Sequence, residues 1–259
     1  MAGFETHIGV STALGIGYGA VGYYLGLPPE SCALAAGLCS LSGMIPDLDS
    51  DSGTPVRETM TLTAAVVPML TMERFRQFGW SHETTVLVAA AMYLAVRFGV
   101  AELFKRFTVH RGMWHSIPAC LIAGLIAFML VSGVNLDIRL YKAGGVLLGF
   151  LSHLVLDEIW SFSLKGGRFQ IKKSFGTALK FWGKSRWANV ATYAKLAVVS
   201  FLAVGDPVMM QQMGYEMRVG DQSAQAWFDQ QMRAGAVQPM PPPQALQPTQ
   251  FPPPDDWRR

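Results

Sequence analysis

The chain is poor in charge. Only 15% of its 259 residues are Asp, Glu, Lys or Arg, against roughly 25% in soluble globular chains. Hydrophobic residues make up 51%, and the mean hydropathy is +0.26. The apolar residues are grouped into long runs, which points to a polytopic membrane protein. A net charge of +3 is too small to argue for a nucleic-acid partner. Cysteine is also scarce: Cys32, Cys39 and Cys120 all lie in apolar runs, with no Cys-x-x-Cys pair. An odd count without a spacing pattern argues against a disulfide framework and a thiolate metal site. The three read as small buried hydrophobes. The opening MAGFETHIGV has no basic stretch before its apolar run, so the first apolar segment reads as a retained membrane helix and not a cleavable signal. No repeat recurs at solenoid periods.

What is present is a series of apolar runs. Ile8–Leu27 carries no charge and is long enough to cross ~30 Å of hydrocarbon. Its glycines, Gly15, Gly19, Gly22 and Gly26, suit close helix packing; no strand precedes them, as a nucleotide loop requires. Ser31–Ile45 ends at Pro46. Thr59–Met72 is short and contains Pro68. Thr84–Phe104 reads as a span despite Arg97 and Glu102, as does Ile117–Val134 with Ser116 as its N-cap. Asn135–Lys142 reads as a turn and Ala143–Trp160 as the sixth span. Ser161–Arg186 is a basic, polar insert, and Trp187–Gly205 is either a last span or a surface helix. The expected fold is all-α: a polytopic membrane bundle with about six to seven transmembrane helices over residues 1–209. Residues 210–259 are polar. Gln238–Pro254 is rich in proline and glutamine and reads as an extended, disordered tail.

Ionisable residues inside a membrane are costly and need a reason. The stretch FLSHLVLDEIW, Phe150–Trp160, sets His153 and Asp157 four residues apart, one turn apart on one helix face. An imidazole and a carboxylate so placed can grip one metal ion. With six spans in alternation, His7, the acids Asp47, Asp49 and Asp51, the pair His110 and His115, and His153 with Asp157 all fall on one side. The run D-L-D-S-D repels itself unless a cation neutralises it. It is not an EF-hand, because Ser52 stands where that loop needs glycine; a solvated Asp turn is the plain alternative. His110 and His115 are five apart, a poor match to one helix face, but a turn at Gly112 brings both rings to one ion; otherwise they are interfacial histidines. Arg111 between them suits a phosphate or carboxylate, or anchors the chain at the interface. Ser116 and Ser152 lie outside any Gly-x-Ser-x-Gly elbow and read as a cap and a packing serine. Glu158 reads as an exposed charge, and His82 falls on the opposite side.

The basic residues orient this arrangement. Arg57, Lys105, Arg106, Arg111 and the basic residues of Lys165–Lys195 lie on the side of the acids and histidines. Arg74, Arg76, Arg139 and Lys142 lie on the other. The positive-inside rule then puts the site and the N-terminus in the cytoplasm. Mixed nitrogen and oxygen ligands without sulfur suit Zn²⁺ or Mn²⁺, in a set large enough for two ions. The expected ligands are His7, Asp47, Asp49, His110, His115, His153 and Asp157. Metal-activated water would be the nucleophile, with Asp49, Asp51 and Arg111 as the catalytic side chains.

Four blocks carry a resemblance: the early His7, the P-D-L-D of Pro46–Asp49, the H-R-G-x-x-H-S of His110–Ser116 and the S-H-L-x-x-D of Ser152–Asp157. In this order, over about residues 1–205, they resemble the YdjM-like family of bacterial inner-membrane proteins, described as metal-dependent hydrolases. The resemblance implies a multi-helix membrane fold, a metal and hydrolysis. A more remote similarity to zinc-dependent phospholipases C implies a phosphodiester or lipid head group as substrate. Two readings stand. One is a membrane hydrolase whose partners are the bilayer and a small-molecule or lipid substrate. The other is a non-catalytic transporter or scaffold with a structural metal site.

Overall fold

The structure, a computed structural model, describes residues 3–49, 54–100, 112–133, 135–165, 168–171, 176 and 178–212. The chain divides into two units, Met1–Tyr215 and Glu216–Arg259, and the second lies wholly outside the described residues.

Helix α1, Phe4–Tyr24, carries Glu5 in its first turn, where a negative charge suits the helix dipole. It stops at Gly26, whose φ of +85° favours a residue without Cβ. Pro29 starts α2, Pro29–Ser42, with its φ preset for a first helical turn. A 3₁₀ turn, Pro46–Asp49, follows. Helix α3, Thr54–Gln77, continues through Pro68. It is ten residues longer than the apolar run within it, because helix geometry tolerates the charged residues at its ends. Helix α4, His82–Leu94, is capped by Ser81 and runs on as a π segment, Ala95–Val100. Ser116 caps α5, Ile117–Leu130, and Asn135 caps α6, Leu136–Ile159. Asn135–Lys142 is therefore no turn: the Asn135 side chain accepts the Ile138 N–H at 3.1 Å and the helix begins at once.

The basic insert contains two strands, β1 (Phe162–Lys165) and β2 (Arg168–Ile171), paired antiparallel with Phe162 opposite Ile171. This hairpin departs from an all-α expectation, but the described residues are otherwise overwhelmingly helical. Helix α7, Arg186–Val204, and the short α8, Pro207–Gln212, complete the described fold.

Helix α2 packs between α1 and α6. Small residues make this possible. A Cβ on Gly15 would lie 2.5 Å from the Ala36 carbonyl oxygen, and one on Gly145 would lie 2.7 Å from that of Ala35. Gly149 lies closer still to the Cys39 carbonyl. Backbones can approach this closely only where no side chain intervenes. Gly22 instead faces the Tyr141 ring. Tyr18 and Tyr141 stack at 4.6 Å, and each hydroxyl donates to the other's carbonyl oxygen at 2.9 Å, stitching α1 to α6. The three cysteines are buried, Cys32 and Cys39 on α2 and Cys120 on α5.

Helix α5 packs on α6 and α7. Arg139, near the start of α6, donates to both oxygens of Asp206, just past α7, at 2.7 and 2.8 Å. Arg74 of α3 adds a third bond to Asp206 at 3.2 Å. At the same end Ala203 packs with Phe128 and Ala143, whereas the Ile117 N–H at the start of α5 bonds the Lys180 carbonyl. Helix α7 therefore runs the length of the bundle, antiparallel to α6.

Two helices among the described residues are long and apolar enough to cross a membrane by length and composition: α6, of mean hydropathy 1.2, and α7, of 1.4. That is fewer than the six to seven expected. Glycine, serine and threonine dilute α1, α2 and α5 have 14 residues each, and α3 carries charge at both ends. Helix α6 is more than half buried within the bundle, whereas α7 exposes Trp187 and Phe201 by 83% and 79%.

Candidate metal centre

One end of the bundle gathers side chains from four places in the chain. His7 lies in the first turn of α1. Asp47 lies in the 3₁₀ turn that follows α2, made by the Leu48 N–H bonding the Ile45 carbonyl. His115 lies in the turn before α5, closed by its N–H on the Gly112 carbonyl and by the Ser116 cap. His153 and Asp157 lie one turn apart on α6. These side chains meet at one level because α1 and α5 start there, whereas α2 and α6 end there.

His7, His115 and His153 are each 1% exposed, and Asp157 is 8% exposed. The rings of His7 and His153 stack at 3.7 Å and 14°. His115 is tilted against His153 at 5.7 Å. Asp47 Oδ1 lies 3.5 Å from His153 Nε2 and 3.8 Å from His115 Nε2. Asp157 Oδ1 lies 3.5 Å from His7 Nε2, and its Oδ2 lies 3.9 Å from His153 Nε2. Two overlapping triads result: His7, Asp47 and His153; and His115, His153 and Asp157. Within each, one ligand atom per residue lies within 4.8 Å of the others.

The Gly43 carbonyl accepts from His153 Nδ1 at 2.8 Å. That bond places the ring's proton on Nδ1 and turns the Nε2 lone pair into the cluster, the usual way a backbone group orients a ligand histidine. His153 Nε2 and Asp157 Oδ1 are buried and have no hydrogen-bond partner in the structure. Buried polar atoms of this kind are costly when nothing binds them. Asp47 is the more open member, its side chain 27% exposed. Burial by itself raises its carboxyl. The imidazoles of His115 and His153, together with the positive charge that His153 and His7 can carry, outweigh burial and hold it well below the usual carboxylate range.

Of the expected ligands, the structure brings together His7, Asp47, His115, His153 and Asp157. Asp49 closes the same 3₁₀ turn as Asp47. Asp51, His110 and Arg111 lie outside the described residues. His82 is exposed at the start of α4, apart from the cluster. Ser116 is a cap, and Ser152 donates to the Gly149 carbonyl at 2.7 Å. Glu158 is not a free surface charge. It is half-buried and accepts the backbone N–H groups of Gly176 and Ala178, which ties the basic insert to the end of α6.

Sequence reasoning missed the Gly43 carbonyl, for which a backbone oxygen leaves no residue signal. It also missed Asp206, though a lone acid directly after an apolar run is a visible one.

No curated protein and no solved structure gives a significant match. The sequence model described as "YdjM inner membrane protein" matches residues 1–205. That match covers most of the 259 residues, so the chain belongs to the YdjM inner membrane protein family.

Proposed function

We propose that this inner membrane protein is a metal-dependent hydrolase whose centre is the His7–Asp47–His115–His153–Asp157 cluster. The carrying observation is His153: its Nδ1 is fixed by Gly43, and its Nε2 is left buried, unpartnered and aimed at two carboxylates. The donor set fits a divalent cation of borderline hardness, Zn²⁺ or Mn²⁺, and is large enough for two. Such an ion supplies Lewis-acid charge and water activated near neutral pH.

The chain's own residues do the rest. His153 and Asp157 come from one rigid helix and set the spacing. His7, stacked on His153, closes the buried side. Asp47, charged and partly open, faces the approach. Asp49, Asp51 and Arg111 follow or precede ligand-bearing turns closely in sequence, and the proposal assigns them to proton transfer and to binding an anionic group. In this reading the chain crosses the membrane several times, with the cluster and the N-terminus at the cytoplasmic face. The closed Arg74–Asp206–Arg139 group at the other end supports a local site over an ion path.

Metal analysis of the purified protein tests the proposal, with His153→Ala and Asp157→Ala as probes and His82→Ala as control. Stoichiometric transition metal in wild type and the control, strongly reduced in both probes, is the expected result. Wild-type protein that takes up no Zn²⁺ or Mn²⁺ refutes it. Metal retained without turnover of any phosphodiester or phospholipid refutes the hydrolase assignment while keeping the metal centre.

A further inference from the structure

A cavity of about 220 Å³ lies between α3 and the layer formed by α2, α5 and α6. Its wall includes Leu38, Met60, Val67, Ala123, Ala127 and Val146. The polar groups on the wall are already engaged. Ser42 donates to the Cys39 carbonyl, Thr63 to the Thr59 carbonyl and Trp114 Nε1 to the Ile45 carbonyl. None of the described residues on the wall offers the several polar partners that water, a sugar or a nucleobase needs.

The cavity adjoins the candidate metal centre through two turns. Ile45 and Leu48 line the cavity and flank Asp47 in sequence; Trp114 lines it and precedes His115. The Trp114–Ile45 hydrogen bond, 3.1 Å, ties the two turns together. Each turn thus presents an apolar side chain to the cavity and an ionisable one to the cluster. Such a wall suits an amphiphile with one end of each kind. The volume equals roughly seven liquid-water volumes, below that of sites for drug-sized ring systems, and suits a length of flexible hydrocarbon.

We infer that the cavity receives an acyl chain of a membrane phospholipid whose phosphate head group reaches the His/Asp cluster. The inference rests on the hydrolase reading and names the substrate class for it. The bilayer in which this family resides supplies the chain directly.

The test uses the full chain in nanodiscs containing phosphatidylglycerol with a diazirine in its acyl chain, with labelled residues mapped by peptide mass spectrometry. Label is expected on Met60, Val67 and Ala127. Ala123→Phe should reduce it about tenfold, the factor that goes with losing roughly two buried methylenes, without changing metal content. His153→Ala should lose metal and keep the label. Label confined to outward residues of α7 such as Phe201, or unaffected by Ala123→Phe, overturns the inference while leaving the metal centre intact. Wild type that carries label in the cavity but binds no metal fails the hydrolase reading and keeps the chain slot. Should Ala123→Phe fail to fold, the wild-type label map and Val67→Phe decide.

Discussion

Removing Asp206 is expected to destabilise the protein more than removing Arg74. Its carboxylate accepts two bonds from Arg139, at 2.7 and 2.8 Å, and one from Arg74 at 3.2 Å. Arg139 is 1% exposed, donates also to the Phe128 carbonyl at 3.1 Å and lies 4.3 Å over the Phe128 ring. With Asp206→Leu, that guanidinium stays buried at a helix N-terminus, where the dipole disfavours a cation. Breaking a buried pair on one side costs about 3–5 kcal/mol. Arg74, whose side chain is 34% exposed, can turn to water, so Arg74→Ala should cost only about 0–1 kcal/mol. The double variant Arg139→Leu/Asp206→Leu removes both charges and should recover most of the loss, since apolar replacement of a buried pair is often near neutral. Reversible unfolding in mixed micelles, followed by the fluorescence of the seven tryptophans, measures wild type, the three single variants Asp206→Leu, Arg139→Leu and Arg74→Ala, and the double variant. Asp206→Leu costing under about 1 kcal/mol, or a double variant as unstable as the sum of the singles, would contradict the range expected for a buried pair.

Three further outcomes are expected. Hydrogen bonds from Arg139, against the opposing effect of burial, lower the Asp206 carboxyl to about 2. A lowered folded value means its stabilisation is complete above the unfolded value of about 3.9 and is lost as pH falls toward 2; acid unfolding of Asp206→Asn should lack that part of the slope seen in wild type. Gly149→Leu forces a side chain against the Cys39 carbonyl and the Ser42 hydroxyl; thermal unfolding should show a loss of about 1–3 kcal/mol, and metal content should fall because His153 sits one turn further along α6. Glu158→Gln weakens the carboxylate bonds to Gly176 and Ala178; amide exchange there should accelerate roughly fivefold, for a loss of about 1 kcal/mol, and unchanged exchange would mean that Glu158 does not hold the insert.

The sequence determined the composition class, the helix positions to within a few residues at most ends, and the His/Asp blocks. Those properties are local: periodicity, caps and spacing are written in neighbouring residues. It overcounted spans because apolar runs were read without asking whether each helix is long and apolar enough by itself; α2 and α5, at 14 residues, are not. It missed the start of α6 because Leu136–Lys142 contains charge, and only Asp206, 67 residues further on, neutralises Arg139 there. Tertiary structure alone decided which imidazole and carboxylate atoms face each other. His7, Asp47, His115 and His153 converge because glycines let α1 and α6 close on α2, and Gly43, a carbonyl any residue would carry, sets the direction of the His153 ring. Contacts between residues more than a hundred positions apart depend on how whole helices pack, and no local pattern encodes that.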